Sequence, residues 1–430
     1  MLAWLITVGE GLPIDSGSPR LWRTSLLASK LLNRNHQVIR WTSAFDHSHK
    51  TFRSDGDQDI QVDPNYKIKL IKSIGYKKNV SLKRLVDHYV LGWKFSKAAL
   101  SEERPDIIVC SLPTIELAHA ATEYGKKMNV PVILDLRDMW PDIFLEMIPN
   151  WGSVIGKVAL QPMYRKLKAA CRNATAIFGI TEAFLEWGLK NAGRTRNGFD
   201  AVFHHAYNLV QPSDSEISRA ESFWRSYDVS KDDPIFTACF FGYFGRQFEI
   251  QTVLDAARKL RDLDANIRFV LCGDGDSFEH YKAMAADLDN VVLPGFVGQP
   301  EIWTLMRMSR VGLAPYHSTS SFIASLPNKV GEYLSAGLPI VSSLKGELEN
   351  LLSVDQCGIT YPNMDKDKLS DILLELSRNK QLSGNMAIKS RTISPEKFGA
   401  DKVYGDMAHQ LERIVKDLKN FQQTENAIWA

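Results

Sequence analysis

Short runs rich in Val, Ile and Leu alternate with amphipathic stretches along almost the whole chain, and this alternation constrains the fold more than any other feature. The first half offers LAWLITV, QVIRWTS, IKLIKS, DIIVCSLP, PVILDLR and TAIFGIT. Such runs are too short for helices and apolar on both alternate faces, as strands covered on both sides of a sheet must be. Between them lie stretches with helical spacing, among them Arg20 to Leu32 and Thr114 to Met128. Strand and helix in succession predict right-handed βαβ units around a parallel sheet.

The rhythm breaks in AVFHHAYNLVQPSDSEISRAESFWRSYDVSKDDP, which is polar, poor in strand formers in its middle, and holds Pro212 and Pro234. It then restarts with PIFTACFFG, IRFVLCGDG, VVLPGFV, VGLAPY, LPIVSS and CGITYP. A chain of 430 residues also exceeds what one core normally holds. The expected fold is α/β, with two doubly wound Rossmann-like domains, 1–210 and 234–394, facing a cleft. Residues 211–233 are expected to link them, and a final helix within 395–430 to cross back towards the first domain. Ligands of such sheets bind beyond the carboxyl ends of the strands, so the residues after each strand matter most.

Composition removes several classes. The formal net charge is +2, which gives no global field for nucleic acid, and no nucleic-acid partner is expected. Five cysteines, none in a CxxC pair, read as reduced core thiols of a cytoplasmic protein. MLAWLITVGEGLP lacks the basic start and the apolar length of a leader and reads as a buried first strand. No apolar run reaches the ~18 residues of a membrane span.

Three strand-to-helix turns could carry chemistry. In GEGLPIDSGSPRLWRTSLLASKLL, Gly9, Gly11 and Gly17 permit a tight backbone, Ser18 can cap and Pro19 suits a first helical position. Free amides there favour an anion, although a plain turn reads equally well and the spacing is not GxGxxG. In FFGYFGRQFEIQ, Gly242 and Gly245 bracket a turn and Arg246 is placed at the next helix start. A cation at that positive end is unfavourable unless an anion compensates it; a solvated surface arginine is the alternative. In SLPNKVGEYLSAGLPIVSS, Pro327 opens a helix with Val330, Tyr333 and Leu334 on its apolar face, and Gly337 stops it. Lys329 and Glu332, three apart, share a face as an anion and sugar cradle or as a surface ion pair.

Taken together, these segments resemble the retaining nucleotide-sugar glycosyltransferases of the GT-B fold, the group 1 or family 4-like class, over nearly the whole chain. GSPRLWRTSLLASKLLNRNHQV looks like that family's glycine loop and first helix, and FFGYFGR like the first strand of its nucleotide domain. VLCGDGDSFEHYKAMAADLDNVVLPGFV is similar to its GxGp turn and base-contacting strand, and PNKVGEYLSAGLPIV to its Glu-bearing helix. PVILDLRDMWPD is similar to a signature of the subgroup that builds bacterial surface polysaccharides.

The resemblance implies a metal-independent hexosyl- or N-acetylhexosaminyltransferase that uses a UDP-sugar as co-substrate and no other cofactor. It implies that Glu332 binds the ribose hydroxyls and that Arg246 and Lys329 neutralise the diphosphate. Gly17, Ser18, Gly245, Leu326 and Asn328 would complete the cradle, and the backbone of Phe296 and Val297 would read the base. Asp138 and Arg137 would lie where sugar and acceptor meet. The implied acceptor is a glycan, free or carried on polyprenyl diphosphate, for O-antigen, capsule or exopolysaccharide. Three positions depart from the pattern: Ala324 stands where a donor-sugar glutamate is usual, QFEIQ replaces a lysine-bearing stretch, and Arg137 replaces a common histidine. An NDP-sugar 2-epimerase or a non-catalytic nucleotide-sugar-binding partner would share these features.

DGDQD, DLRD and GDGD read as turns and strand ends and not as metal ligands, HSH as a solvated loop, and the HH pair, His204 and His205, as structural. The run YKIKLIKSIGYKKNVSLKRLVDHYVLGWKFSK, residues 66–97, sets nine Lys and Arg against Asp87 alone, interleaved with aromatics. It suits peripheral attachment to an anionic inner-membrane surface, with a solvated helix face as the alternative.

Overall fold

Every apolar run named above becomes a strand in the computed structural model, which describes residues 1–15, 21–79, 81–146, 148, 153–206 and 211–429. The first unit, Met1–Ala206 with Ala400–Ala430, contains β1 (Leu2–Ile6), β2 (Gln37–Ser43), β3 (Phe45–Asp46), β4 (Thr51–Phe52), β5 (Gln58–Asp63), β6 (Tyr66–Ile71), β7 (Ile107–Ser111), β8 (Val132–Leu136), β9 (Ala176–Gly179) and β10 (Ala201–Val202). Its main sheet has the order β10-β9-β8-β7-β1-β2-β6-β5, parallel except for the antiparallel edge strand β5. Central β1 explains the double covering. Ala3 and Leu5 pack with Leu27, Tyr404 and Met407, while Trp4, on the opposite face, meets Trp41, Phe95 and Tyr124.

The second unit, Tyr207–Gly399, contains β11 (Phe236–Phe241), β12 (Ile267–Cys272), β13 (Val291–Gly295), β14 (Val311–Ala314), β15 (Ile340–Ser342) and β16 (Gly358–Thr360). All are parallel, in the order β13-β12-β11-β14-β15-β16. Both units are Rossmann-like, and the second sheet changes direction of winding between β11 and β14, where a ligand crevice is expected.

Two expectations about organisation are corrected. The stretch 211–233 is not a bare linker: helix Asp214–Arg225 occupies its middle, held by a Ser213/Glu216 capping box. Trp224 anchors that helix in the second core and donates its indole N–H to Glu301 O at 2.9 Å. The expected last helix is two helices. Lys380–Lys397 contains Pro395 in its final turn and belongs to the second unit, and Ala400–Trp429 belongs to the first. The latter lies along helix Arg23–Leu32, with Arg34 and His36 both on Glu412, and Tyr404 hydroxyl donates to Ala206 O at 3.1 Å.

Candidate active site

β11 ends in two phenylalanines and runs into Gly242 to Gly245, which folds against the turn after β12. Gly242 N–H donates to Cys272 O at 3.0 Å, Phe244 N–H to Asp274 O at 2.8 Å, and Ser277 N–H to Phe244 O at 3.0 Å. Gly273 makes this approach possible: its φ is +146°, and a Cβ there would stand 1.8 Å from the Gly242 carbonyl oxygen. The GDGD stretch is therefore a backbone clasp joining two strand ends.

Helix Asn328–Ala336 is laid on the sheet by its apolar face. Val330, Tyr333 and Leu334 are fully buried, and Tyr333 hydroxyl donates to Leu313 O at 3.1 Å. Gly312 makes room for the tyrosine ring, which a Cβ would meet at 2.5 Å. Pro327 stands at the N-cap and no side chain caps this end; Gly337 terminates the other in a left-handed turn, φ +76°. No side chain therefore competes for the first-turn amides, which face an anion readily.

With that face fixed, Lys329 turns inward and is only 7% exposed. Its ammonium lies 4.0 Å from the Phe240 ring centre, 4.1 Å from Phe248 and 5.2 Å from Tyr316. It makes no hydrogen bond, and a Cβ on Gly242 would lie 3.0 Å from its Nζ. Burial pushes its pKa down to about 7, against the opposing pull of Glu332 one turn on. The ring faces offset part of the desolvation, but an ammonium buried without a hydrogen-bonded anion remains costly. Lys329, the clasp and Glu332 thus meet beyond the carboxyl ends of β11 and β14.

Other expected residues fall as follows. Arg246 is exposed in a turn; helix Ile250–Asp262 begins four residues later, so the expected dipole conflict at Arg246 does not exist. Gly245 lies in the clasp, its N–H donating to Tyr243 O. Phe296, 81% exposed, and Val297, buried, directly follow β13. Leu326 is buried and Asn328 exposed at the opening of the Lys329 helix, and Ala324 is buried just upstream. Gly17 and Ser18 lie outside the described residues. Sequence reading missed Glu249, a buried carboxylate that accepts from Met364 N–H at 2.9 Å and from Asn363, with His317 Nδ1 at 3.1 Å.

In the first unit, Arg137 and Asp138 follow β8, where they were expected, but Arg137 is not an open cation. It pairs with Asp135 at 2.7 Å and with Glu10, and donates to Thr24 Oγ1 at 2.9 Å. Asp135 also takes Arg23 at 2.8 Å, and Arg40 reaches Glu10 at 3.3 Å. Burial would raise both carboxyl pKa values, yet the arginines hold Asp135 and Glu10 below the usual range. Arg137 thus shares two carboxylates with Arg23 and Arg40 at the start of the loop that carries Asp138; Asp138 itself is half-buried.

A second cluster lies beside that loop; Ser48 and His49 of HSH are exposed, and His47 alone is drawn into it. His47 is half-buried, with Nδ1 2.6 Å from Tyr76 hydroxyl, and burial together with Lys50 and Arg84 pushes its pKa to about 4. Arg84 lies 4.6 Å from the Trp140 ring centre and 5.4 Å from Tyr76, and Lys50 lies 5.1 Å from Tyr76. Neither cation forms an ion pair among the described residues. His204 and His205 are structural as expected: His204 Nδ1 meets Ile180 O at 2.8 Å, and burial holds His205 at a pKa of about 3. Among the described residues no three His, Cys, Asp or Glu side chains group as a metal cluster.

Fold and site together define an α/β protein of two Rossmann-like units, the second with a buried lysine in the crevice at its strand ends. Residues 236–379, which hold that crevice, match the family model described as Glycosyl transferases group 1. The amylovoran biosynthesis glycosyltransferase AmsK of Erwinia amylovora is 27% identical over 165 residues, which is 37% of this chain and 40% of that one; the chain thus spans about two fifths of that relative's length. Among solved structures, Anabaena Alr3699/HepE in complex with UDP and glucose is similar over 95% of this chain and 99% of its own, with TM-score 0.61 and 15% identity. Sucrose-phosphate synthase (tll1590) from Thermosynechococcus elongatus is similar over 97% and 99%, with TM-score 0.68 and 14% identity. At such identities the structural likeness establishes the fold.

Proposed function

We propose that this protein is a retaining, metal-independent glycosyltransferase that moves a hexosyl or N-acetylhexosaminyl group from a UDP-sugar to a glycan or polyprenyl-diphosphate-linked acceptor in bacterial surface-polysaccharide synthesis. The observation that carries the reading is the buried, anion-free ammonium of Lys329 inside the segment that matches group 1. The name of AmsK points to polysaccharide synthesis, and the UDP held by HepE points to the donor's leaving group.

In this reading the diphosphate lies against Lys329, Arg246 and the amides of Asn328 and the Gly242 clasp, with Glu332 on the ribose and Phe296 and Val297 at the base. Charge develops on the departing phosphate, so cations fixed before substrate arrives lower the barrier more than flexible ones. The acceptor hydroxyl attacks from the face that the diphosphate leaves, and the departing phosphate oxygen takes its proton. No side-chain base is then required. Isothermal titration with UDP and GDP tests the donor site. UDP is expected to bind more tightly than GDP, and Arg246→Ala and Glu332→Ala each to weaken UDP by about tenfold or more. Unchanged affinity in both variants removes the assignment.

The acceptor end of the reading rests on the first unit. Lys50 and Arg84 over Tyr76 and Trp140 suit an anionic sugar carrier. Helix Leu82–Ala98 exposes Leu82, Val86, Tyr89 and Trp93 at helical spacing on one face. Lys67, Lys69 and Lys94 of the basic run are already paired with Glu102, Asp59 and Asp57, whereas Lys77, Lys78, Lys83 and Lys97 are exposed. An apolar stripe edged by free cations fits an anionic lipid surface, and no helix of the described residues is long and apolar enough to cross a membrane. Flotation with phosphatidylglycerol vesicles at low salt is expected to carry wild type but not Leu82→Ser/Trp93→Ser; absence of wild-type flotation sinks the attachment.

A further inference from the structure

At the amino-terminal edge of the second sheet, opposite the strand ends discussed above, lies a cavity of about 560 Å³. That size falls within the range of small-molecule sites, roughly 300–1,000 Å³. Its apolar floor includes Phe236, Met306, Leu338 and Leu376, and four cations stand over it: Arg307, Arg310, Lys380 and Arg391. No carboxylate lines it, and among the described residues none of the four cations makes an ion pair. Elsewhere in the unit Arg258, Lys259, Arg261, Arg268, Lys345 and Lys397 each have a carboxylate partner.

The cavity is also shaped around its cations. Arg391 passes directly over Gly337, where a Cβ would stand 2.3 Å from its Nε, so the glycine that ends the Lys329 helix also admits this guanidinium. Arg307 lies 3.3 Å from the Trp303 ring centre. Gly384 presents bare backbone to the cavity, with nothing within 4 Å of a built Cβ. All four cations are exposed where they line this one apolar-floored recess. Guanidinium forks match phosphate oxygens, and an apolar floor suits the ring of the molecule that carries them.

We infer that this cavity is a second anion site of the protein, built for a phosphorylated small molecule and separate from the proposed donor site. Helix Asn328–Ala336 carries Lys329 at one end and forms a wall of this cavity, through Ala336, at the other. The inference does not depend on glycosyl transfer.

The probe is inorganic pyrophosphate, titrated calorimetrically into full-length protein held at saturating UDP, so that a donor site is occupied. Wild type is expected to bind pyrophosphate under these conditions. Arg310→Ser/Arg391→Ser is expected to weaken that binding by about tenfold or more. Gly384→Leu, which fills the cavity from a helix position with open space, is expected to weaken it similarly while UDP affinity stays unchanged. Absence of wild-type binding, or equal pyrophosphate affinity in wild type and both variants, overturns the inference. Failure of UDP itself to bind would instead strike at the donor reading, and the pyrophosphate titration would still report on the cavity.

Discussion

Replacing Lys329 by Met keeps the reach of the side chain and removes its charge, which separates a binding role from a packing role. The ordinary lysine pKa of 10.5 falls to about 7 in the folded protein. The unfolded chain therefore holds more protons than the native one between about pH 7 and pH 10.5, and native stability rises with pH across that window. The penalty is fully present below pH 7 and gone above the unfolded pKa. Linkage puts it at about 4 kcal/mol at pH 7 and about 2 kcal/mol at pH 9. Contact with three aromatic rings returns about 0.5–2 kcal/mol, which Met forfeits.

Lys329→Met is thus expected to stabilise the unliganded second unit at pH 7 by about 2 kcal/mol, a rise of about 4–8 °C in its calorimetric transition. It should also flatten the rise in stability between pH 6 and pH 9. The same variant should bind UDP at least tenfold more weakly at pH 7. Wild-type affinity should be steady below pH 7 and fall as pH rises past it, because the diphosphate selects the protonated amine. A variant that is less stable at pH 7 and binds UDP normally would show that Lys329 is a packed core residue, and the donor site would lose its central cation.

Three further outcomes follow from the same geometry. Arg23→Met leaves Asp135 with Arg137 as its one arginine and removes the hydrogen bonds to Phe203 O and His204 O; it is expected to destabilise the first unit by about 1–3 kcal/mol in urea unfolding, without altering UDP affinity. Because the folded pKa values of Asp135 and Glu10 are depressed, their contribution is present at neutral pH and lost as pH falls below the carboxylate range; Asp135→Asn should shallow that acid-side loss. Gly273→Ala places a methyl against the Gly242 carbonyl and should weaken UDP by more than about tenfold even where the unit still folds. Turnover of a UDP-sugar should survive EDTA unchanged, and loss of activity that added divalent cation restores would remove the metal-independent mechanism.

How much of this was legible in the sequence depended on how local the cause was. The runs that became β1, β2, β6 to β9, β11, β12, β14 and β15 declare themselves because strands covered on both faces have no polar alternation to confuse them, and the half-buried edge strands β13 and β16 are apolar enough to be read beside them. β5 escaped notice because it is an edge strand with mostly exposed side chains, which leaves no apolar signature. The helix at 214–225 was hidden by its polar face and by Pro212, although Ser213-x-x-Glu216 ahead of Ala220 and Trp224 was a readable capping box. Arg23 and Asp135, 112 residues apart, carry no local mark of their pairing, and nothing adjacent in sequence announces that Phe240, Phe248 and Tyr316 will enclose one ammonium.

Lys329 and Glu332 show the distinction within a single turn of helix. Their spacing predicts a shared face, as a cradle or as a simple pair. The chain instead buries the lysine, whose long apolar stem packs along aromatic rings, and leaves the shorter carboxylate half-buried at the opening. That division follows from what lies under the helix, namely β11 with two phenylalanines at its end and Gly242 just beyond, where a side chain would press on the ammonium. An exposed cation at the same position would be screened by water and salt, and would attract a diphosphate only weakly. Burial instead holds the ammonium at one point, dry and without a hydrogen-bonded anion, so the destabilisation expected of the empty protein and the affinity expected for its ligand are two consequences of one arrangement.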